Sequence, residues 1–94
     1  MGYNLKYDPK FKIEVVEIYD WYFKEGGETL ALTFLDKMME AIQFIERNPL
    51  SMVRYKTNIH KINLRTFPYK ILFKVNKNDV IVLAIFHHKR NRKR

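Results

Sequence analysis

Residues 67–87 read FPYKILFKVNKNDVIVLAIFH, and this stretch decides the fold. Two apolar runs, 69–75 and 80–87, flank the polar segment Asn76, Lys77, Asn78 and Asp79, whose residue types favour turns. The spacing predicts an antiparallel hairpin. If the turn pairs Val75 with Val80, one face carries Tyr69, Ile71, Phe73, Val82, Ala84 and Phe86. That face is apolar throughout and demands a covering layer. The other face places Lys70, Leu72 and Lys74 across from Ile85, Leu83 and Ile81, an apolar patch edged by positive charge. A surface of that kind calls for a partner or for a covering segment of the chain itself.

Working outward, a period of two over residues 59–65 predicts a further strand that extends the charged face with Lys61, Asn63 and Arg65, and a short strand is expected at 53–56. The covering layer lies upstream. Asp8 has the chemistry of a helix N-cap and Pro9 suits the first helical position, where its missing N–H costs nothing. Phe11, Val15, Ile18, Tyr19 and Tyr22 follow at helical spacing, and this helix is expected to end near Lys24. After Gly26-Gly27, the residues Ala31, Phe34, Leu35, Met38, Ala41, Ile42 and Ile45 repeat at steps of three and four as far as Asn48-Pro49. The glycine link predicts two helices folded into an antiparallel hairpin on the sheet. Trp21 and the pair Met38-Met39 are read as core. Tyr3, Leu5 and Tyr7 alternate with polar residues as a half-buried strand does, and the expected class is α+β in one domain, 1–94, with a basic tail at 88–94.

A chain of 94 residues, 47% hydrophobic and 15% aromatic, can build one core and only one. It has no cysteine, so disulfides, thiolate metal sites and cysteine nucleophiles are excluded; this suits a reducing cytoplasm. No leader pattern opens the sequence and the longest apolar run, 80–86, is far too short to span a bilayer. The net charge of +8 is unevenly placed. Residues 1–53 hold six Lys/Arg against nine Asp/Glu, whereas residues 54–94 hold twelve against Asp79 alone. Segregation of this kind costs self-repulsion and points to an anionic partner.

Few residues have the makings of a reaction centre. His60, His87 and His88 lack the companion ligands a metal requires, and no phosphate-binding glycine loop, nucleophile elbow or carboxylate pair is present, so no metal or cofactor is expected. His87, at a strand end beside Lys89 and Arg90, could contact or cleave RNA, although a surface histidine at a strand end more often has no such role.

The order of strand, helices and sheet, with YDWY at 19–22, Asn48-Pro49, FPYKILFKV at 67–75 and VLAIFHHKR at 82–90, resembles the RelE/ParE toxin superfamily over nearly the whole chain. The resemblance implies a type II toxin-antitoxin module whose toxin is held inactive by a bound antitoxin. RelE-like members cut mRNA on the ribosome, and ParE-like members poison DNA gyrase. Carried over residue by residue, RelE-type cleavage would fall to Lys61, Lys70 and Arg90, with His87 or His88 standing in for the missing tyrosine and lysine. Asn63 stands where a further lysine is usual, and the family's C-terminal tyrosine would fall beyond Arg94. Phe67-Pro68-Tyr69 is the ParE-like form of that strand. The resemblance therefore implies a gyrase-binding toxin, with a ribosome-dependent endonuclease and a non-catalytic RNA-binding module as alternatives. The antitoxin is expected on Lys61, Arg65, Lys70, Leu72 and Lys74, and the target on Arg65, Lys74, Lys89 and Arg92.

Overall fold

The computed structural model describes residues 3–51 and 53–88. Arg90, Lys89 and Arg92, and with them most of the basic tail, lie outside the described residues. The chain order is β1 (Asn4–Tyr7), α1 (Pro9–Arg47), a 3-10 turn (Pro49–Ser51), β2 (Val53–Lys56), β3 (Ile59–Asn63), β4 (Tyr69–Asn76) and β5 (Asp79–His87). The five strands form one sheet ordered β1-β5-β4-β3-β2, antiparallel except for β1, which runs parallel to β5. α1 covers one face of it.

Asp8 caps α1 as expected: its carboxylate accepts the Lys10 N–H at 2.8 Å, and Pro9 follows at the helix start. The Asp8 N–H donates to the Val82 carbonyl at 2.8 Å, which ties the helix start to the sheet. The expected end of a first helix near Lys24 is corrected: no loop separates the two helical arms. Helical structure runs from Pro9 to Arg47, interrupted only at Gly27, whose φ of 85° and ψ of −178° form a kink open to glycine alone. A straight helix of this length would reach about 58 Å, yet the longest dimension of the molecule is 40 Å. The two arms accordingly lie side by side: Phe11 and Val15 of the first line the same apolar depression as Met38 and Ile42 of the second.

Both arms feed one core. Phe34 of the second arm is fully buried and meets Tyr22 of the first at 5.6 Å between ring centroids, with Phe67 at 5.7 Å and Tyr69 at 5.8 Å from the sheet side. Edge-on and tilted rings at these distances gain both area burial and quadrupole attraction. Trp21 and Met39 are not core, being 48% and 45% exposed, because each sits one position off its arm's buried stripe. Met38 is buried.

The hairpin of β4 and β5 has the expected register at its turn, Val75 opposite Val80, and Asn76 pairs with Asp79 so that only Lys77 and Asn78 form the loop. Further along, the expected faces are wrong. Leu72 pairs with Ala84 and Phe73 with Val82, leaving Leu83 as an extra residue in a β-bulge. One inserted residue reverses the parity of everything beyond it. Ile85 therefore points into the core, where it is 3% exposed, while Ala84 and Phe86 turn to the outer face. β3 also stops at Asn63, two residues short of Arg65.

β1 ends opposite Val82, so beyond that point β5 has no neighbouring strand on that side. The side chain of Glu14 takes over there, its Oε1 accepting the Ile85 N–H at 3.0 Å. Among the described residues no helix is long and apolar enough to cross a membrane.

Candidate functional site

On the sheet face turned away from α1, register fixes which side chains meet. Lys74 of β4 lies between Ile59 and Ile81, Lys70 between Asn63 and Phe86, and Leu72 between Lys61 and Ala84. Lys61 and Lys70 are thus diagonal neighbours on adjacent strands. Lys56 lies beside Ile59, and Lys6 beside Ile81, extending the positive face to both edges. Leu72 at its centre is only 7% exposed and Ala84 beside it 5%, so the exposed part of this face is mainly cationic.

Asp79 is the one acidic residue after Glu46. It is engaged at the rim: Lys6 Nζ donates to Oδ2 at 3.2 Å and Asn4 Nδ2 to Oδ1 at 3.3 Å, and these bonds hold the carboxyl below its ordinary pKa. Lys61, Lys70 and Lys74 form no ion pair among the described residues. Cations on a surface without counter-charges attract a carboxylate or phosphate at long range.

Tyr55, which alternation alone does not single out, joins this face. A register shift between Arg54 and Lys56 places it in a bulge of β2, where the Lys70 ammonium lies 5.7 Å and the Lys56 ammonium 5.8 Å from the ring centroid. The ring is 41% exposed. Its bulge leaves no trace in a four-residue strand, whereas Lys56 falls in phase with the other outward residues.

The remaining expected site residues are dispersed. Arg65 is exposed and lines a cleft of about 380 Å³ between α1 and β3, with Lys37, Glu40, Phe44, Ile62 and Asn63, the last of which pairs with Lys70. His87 pairs with Tyr69 on the helix-facing side of the sheet, the rings edge to face at 5.1 Å. It stands on the opposite face from Lys61 and Lys70, another consequence of the Leu83 bulge. His60 is buried with its ring stacked on Phe73 at 5.5 Å. The exposed His88 ties the end of β5 to the loop by donating its N–H to the Pro68 carbonyl. Among the described residues no three of His, Asp and Glu come together as a metal site requires.

A sheet of order β1-β5-β4-β3-β2 covered on one side by a kinked helix has counterparts among known proteins. Residues 5–92 match the family model of the ParE toxin of type II toxin-antitoxin systems, parDE. The chain belongs to this toxin family. A structure of the chromosomal ParDE system of P. aeruginosa superposes with a TM-score of 0.81 at 20% identity, covering 90% of this chain and 95% of that one. The toxin's fold is shared more distantly with the intact E. coli RelBE toxin-antitoxin complex, at a TM-score of 0.54, 23% identity and coverages of 94% and 99%. The archaeal RelE-RelB complex of Pyrococcus horikoshii gives 0.57, 12% identity and coverages of 96% and 99%. No curated protein sequence matches the toxin. Membership of the RelE/ParE superfamily, on the ParE side, is as the resemblance implied.

Proposed function

We propose that the toxin arrests growth in the cytoplasm by binding DNA gyrase rather than by cutting RNA, and that a cognate antitoxin neutralises it by laying an acidic segment along the outer sheet face. One observation carries the reading. Lys61, Lys70 and Lys74 share a face, but of the two histidines offered for proton transfer His87 lies on the other side of the sheet and His88 lies past the end of β5. Cations alone stabilise charge on a phosphate, and RNA cleavage also needs a proton moved on and off oxygen, a step typically worth about 10² to 10⁴ in rate. A binding toxin needs no such group. The similar structures include complexes of toxin with antitoxin, which supports an antitoxin partner here. The cationic face supplies the charge that would steer one in.

Expression without the antitoxin, with gyrase-mediated DNA breaks and ribosome-associated mRNA cuts measured in the same culture, tests the reading. DNA breaks with intact mRNA are expected. Abundant mRNA cuts that disappear in Lys61→Ala or Lys70→Ala, in protein that still folds, would replace gyrase by the ribosome as target and make the lysine face a nuclease site.

A further inference from the structure

The outer surface of α1 has no part in that reading, yet it is as unusual as the lysine face. On the first arm Ile13, Val16, Glu17, Asp20, Phe23 and Lys24 fall on the side opposite the inward-facing Phe11, Val15, Ile18 and Tyr22, and all six are exposed, Ile13 and Val16 at 61% and 59%. On the second arm Leu32, Asp36 and Met39 do the same. α1 holds eight acidic residues against five basic ones. The molecule therefore has two exposed, partly apolar faces of opposite charge, one on each side of a two-layer fold.

We propose that the free toxin associates head to tail with further copies of itself, the acidic outer surface of α1 in one molecule docking on the lysine face of the next. Charge selects this arrangement over its rivals. Two α1 surfaces face to face would crowd Glu17 and Asp20 against their own kind, and two sheet faces would oppose Lys61, Lys70 and Lys74 to themselves. Only α1 against sheet sets carboxylates on ammonium groups while covering Ile13, Val16 and Phe23 against Ile59, Ile81 and Phe86. The complementary faces lie on opposite sides of the molecule, so each contact leaves one of each unfilled at the ends. The assembly is an open chain that never closes.

The contact is also weak. Five strands about 4.8 Å apart and about 20 Å long offer roughly 400 Å², half of the roughly 800 Å² per partner in an ordinary stable complex. It is built on exposed charges, which salt screens: the Debye length falls from about 10 Å at 0.1 M to about 3 Å at 1 M. An antitoxin on the outer sheet face would cap the chain, but the proposal rests on the charge layout and stands whether the target is gyrase or not.

Sedimentation of the antitoxin-free toxin tests it. At 0.1 M salt the average mass should climb with concentration without levelling, and at 1 M salt it should stay that of one chain. The variants Glu17→Lys/Asp20→Lys and Lys70→Glu/Lys74→Glu should each remain single at 0.1 M salt, yet assemble when mixed, since every contact then again joins opposite charges. Their circular dichroism melts confirm that each is folded; if the lysine pair fails to fold, Lys61→Glu/Lys74→Glu takes its place. A plateau at the mass of a dimer, a single chain at every concentration in low salt, or folded variants that stay apart on mixing would each overturn the proposal.

Discussion

Replacing Glu14 by alanine should cost far more stability than its surface position implies. The carboxylate accepts the N–H of Ile85, a residue 71 positions away, at the one part of β5 that β1 does not reach. Removing it leaves a part-buried backbone donor without its acceptor, a loss of about 1–3 kcal/mol. The Glu14 side chain is 21% exposed, so water recovers some of that bond and the lower part of the range, about 1–2 kcal/mol, applies. The Lys10–Glu14 ion pair is long at 3.9 Å and its lysine is exposed, so it adds at most about 0.5 kcal/mol. For a domain of this size the predicted loss lowers Tm by about 4–16 °C. Thermal and urea melts of Glu14→Ala, Glu14→Gln and Lys10→Ala measure it. Glutamine keeps a neutral acceptor and should lose less than alanine, and Lys10→Ala should be nearly silent. Hydrogen exchange at the Ile85 amide should quicken in Glu14→Ala. If Glu14→Ala and Lys10→Ala melt within about 1 °C of each other, the side chain does not anchor β5 and the reasoning fails.

Three further outcomes are expected. Gly27→Ala should destabilise by about 1–3 kcal/mol in a urea melt: beyond the adjoining stretch of chain no atom lies within 4 Å of the added methyl, so the cost is that of forcing φ to 85°, and a silent substitution would show that the kink can relax. Asp79→Asn should flatten the acid limb of the stability profile. The folded-state pKa is depressed, so the contribution is present above the unfolded-state pKa and disappears as pH falls through the lower folded-state value; melts at pH 7 and pH 2.5 should differ less in the variant. Lys61→Glu with Lys74→Glu should weaken antitoxin binding at least tenfold, mostly through slower association, as measured by surface plasmon resonance; unchanged rates would move the antitoxin to another surface. The lysines serve here because Leu72 is too buried to substitute without disturbing the fold.

The hairpin was legible because its turn is chemically distinct: four polar residues between two apolar runs place the turn and suggest Val75 opposite Val80, the register observed. The bulge was not. Residues 80–86 are apolar without exception, so either parity fills a core equally well on paper, and only packing against α1 decides that Ile85 rather than Ala84 turns inward. That single residue misplaced His87 along with Phe86. Gly26-Gly27 announced a break, but one residue at a positive φ proved enough to turn the chain while the helix resumes at once. Lys61, Lys70 and Lys74 could be grouped from strand period alone, because they lie where the ladder is regular. Tyr55 and Arg65 could not, since one sits in a bulge and the other beyond the end of its strand.

The parallel pairing of β1 with β5 has a consequence for the order in which the toxin becomes itself. Asn4 bonds to Asp79 across 75 positions of chain. At synthesis rates of roughly 5–20 residues per second, the first strand waits about 4–15 s for its partner to be made. During that interval α1 has no complete sheet to cover, and the lysine face does not exist as a surface because β4 and β5 have yet to pair. A pairing so remote in sequence also slows closure once the chain is complete. A partly made chain therefore has neither its complete core nor its lysine face.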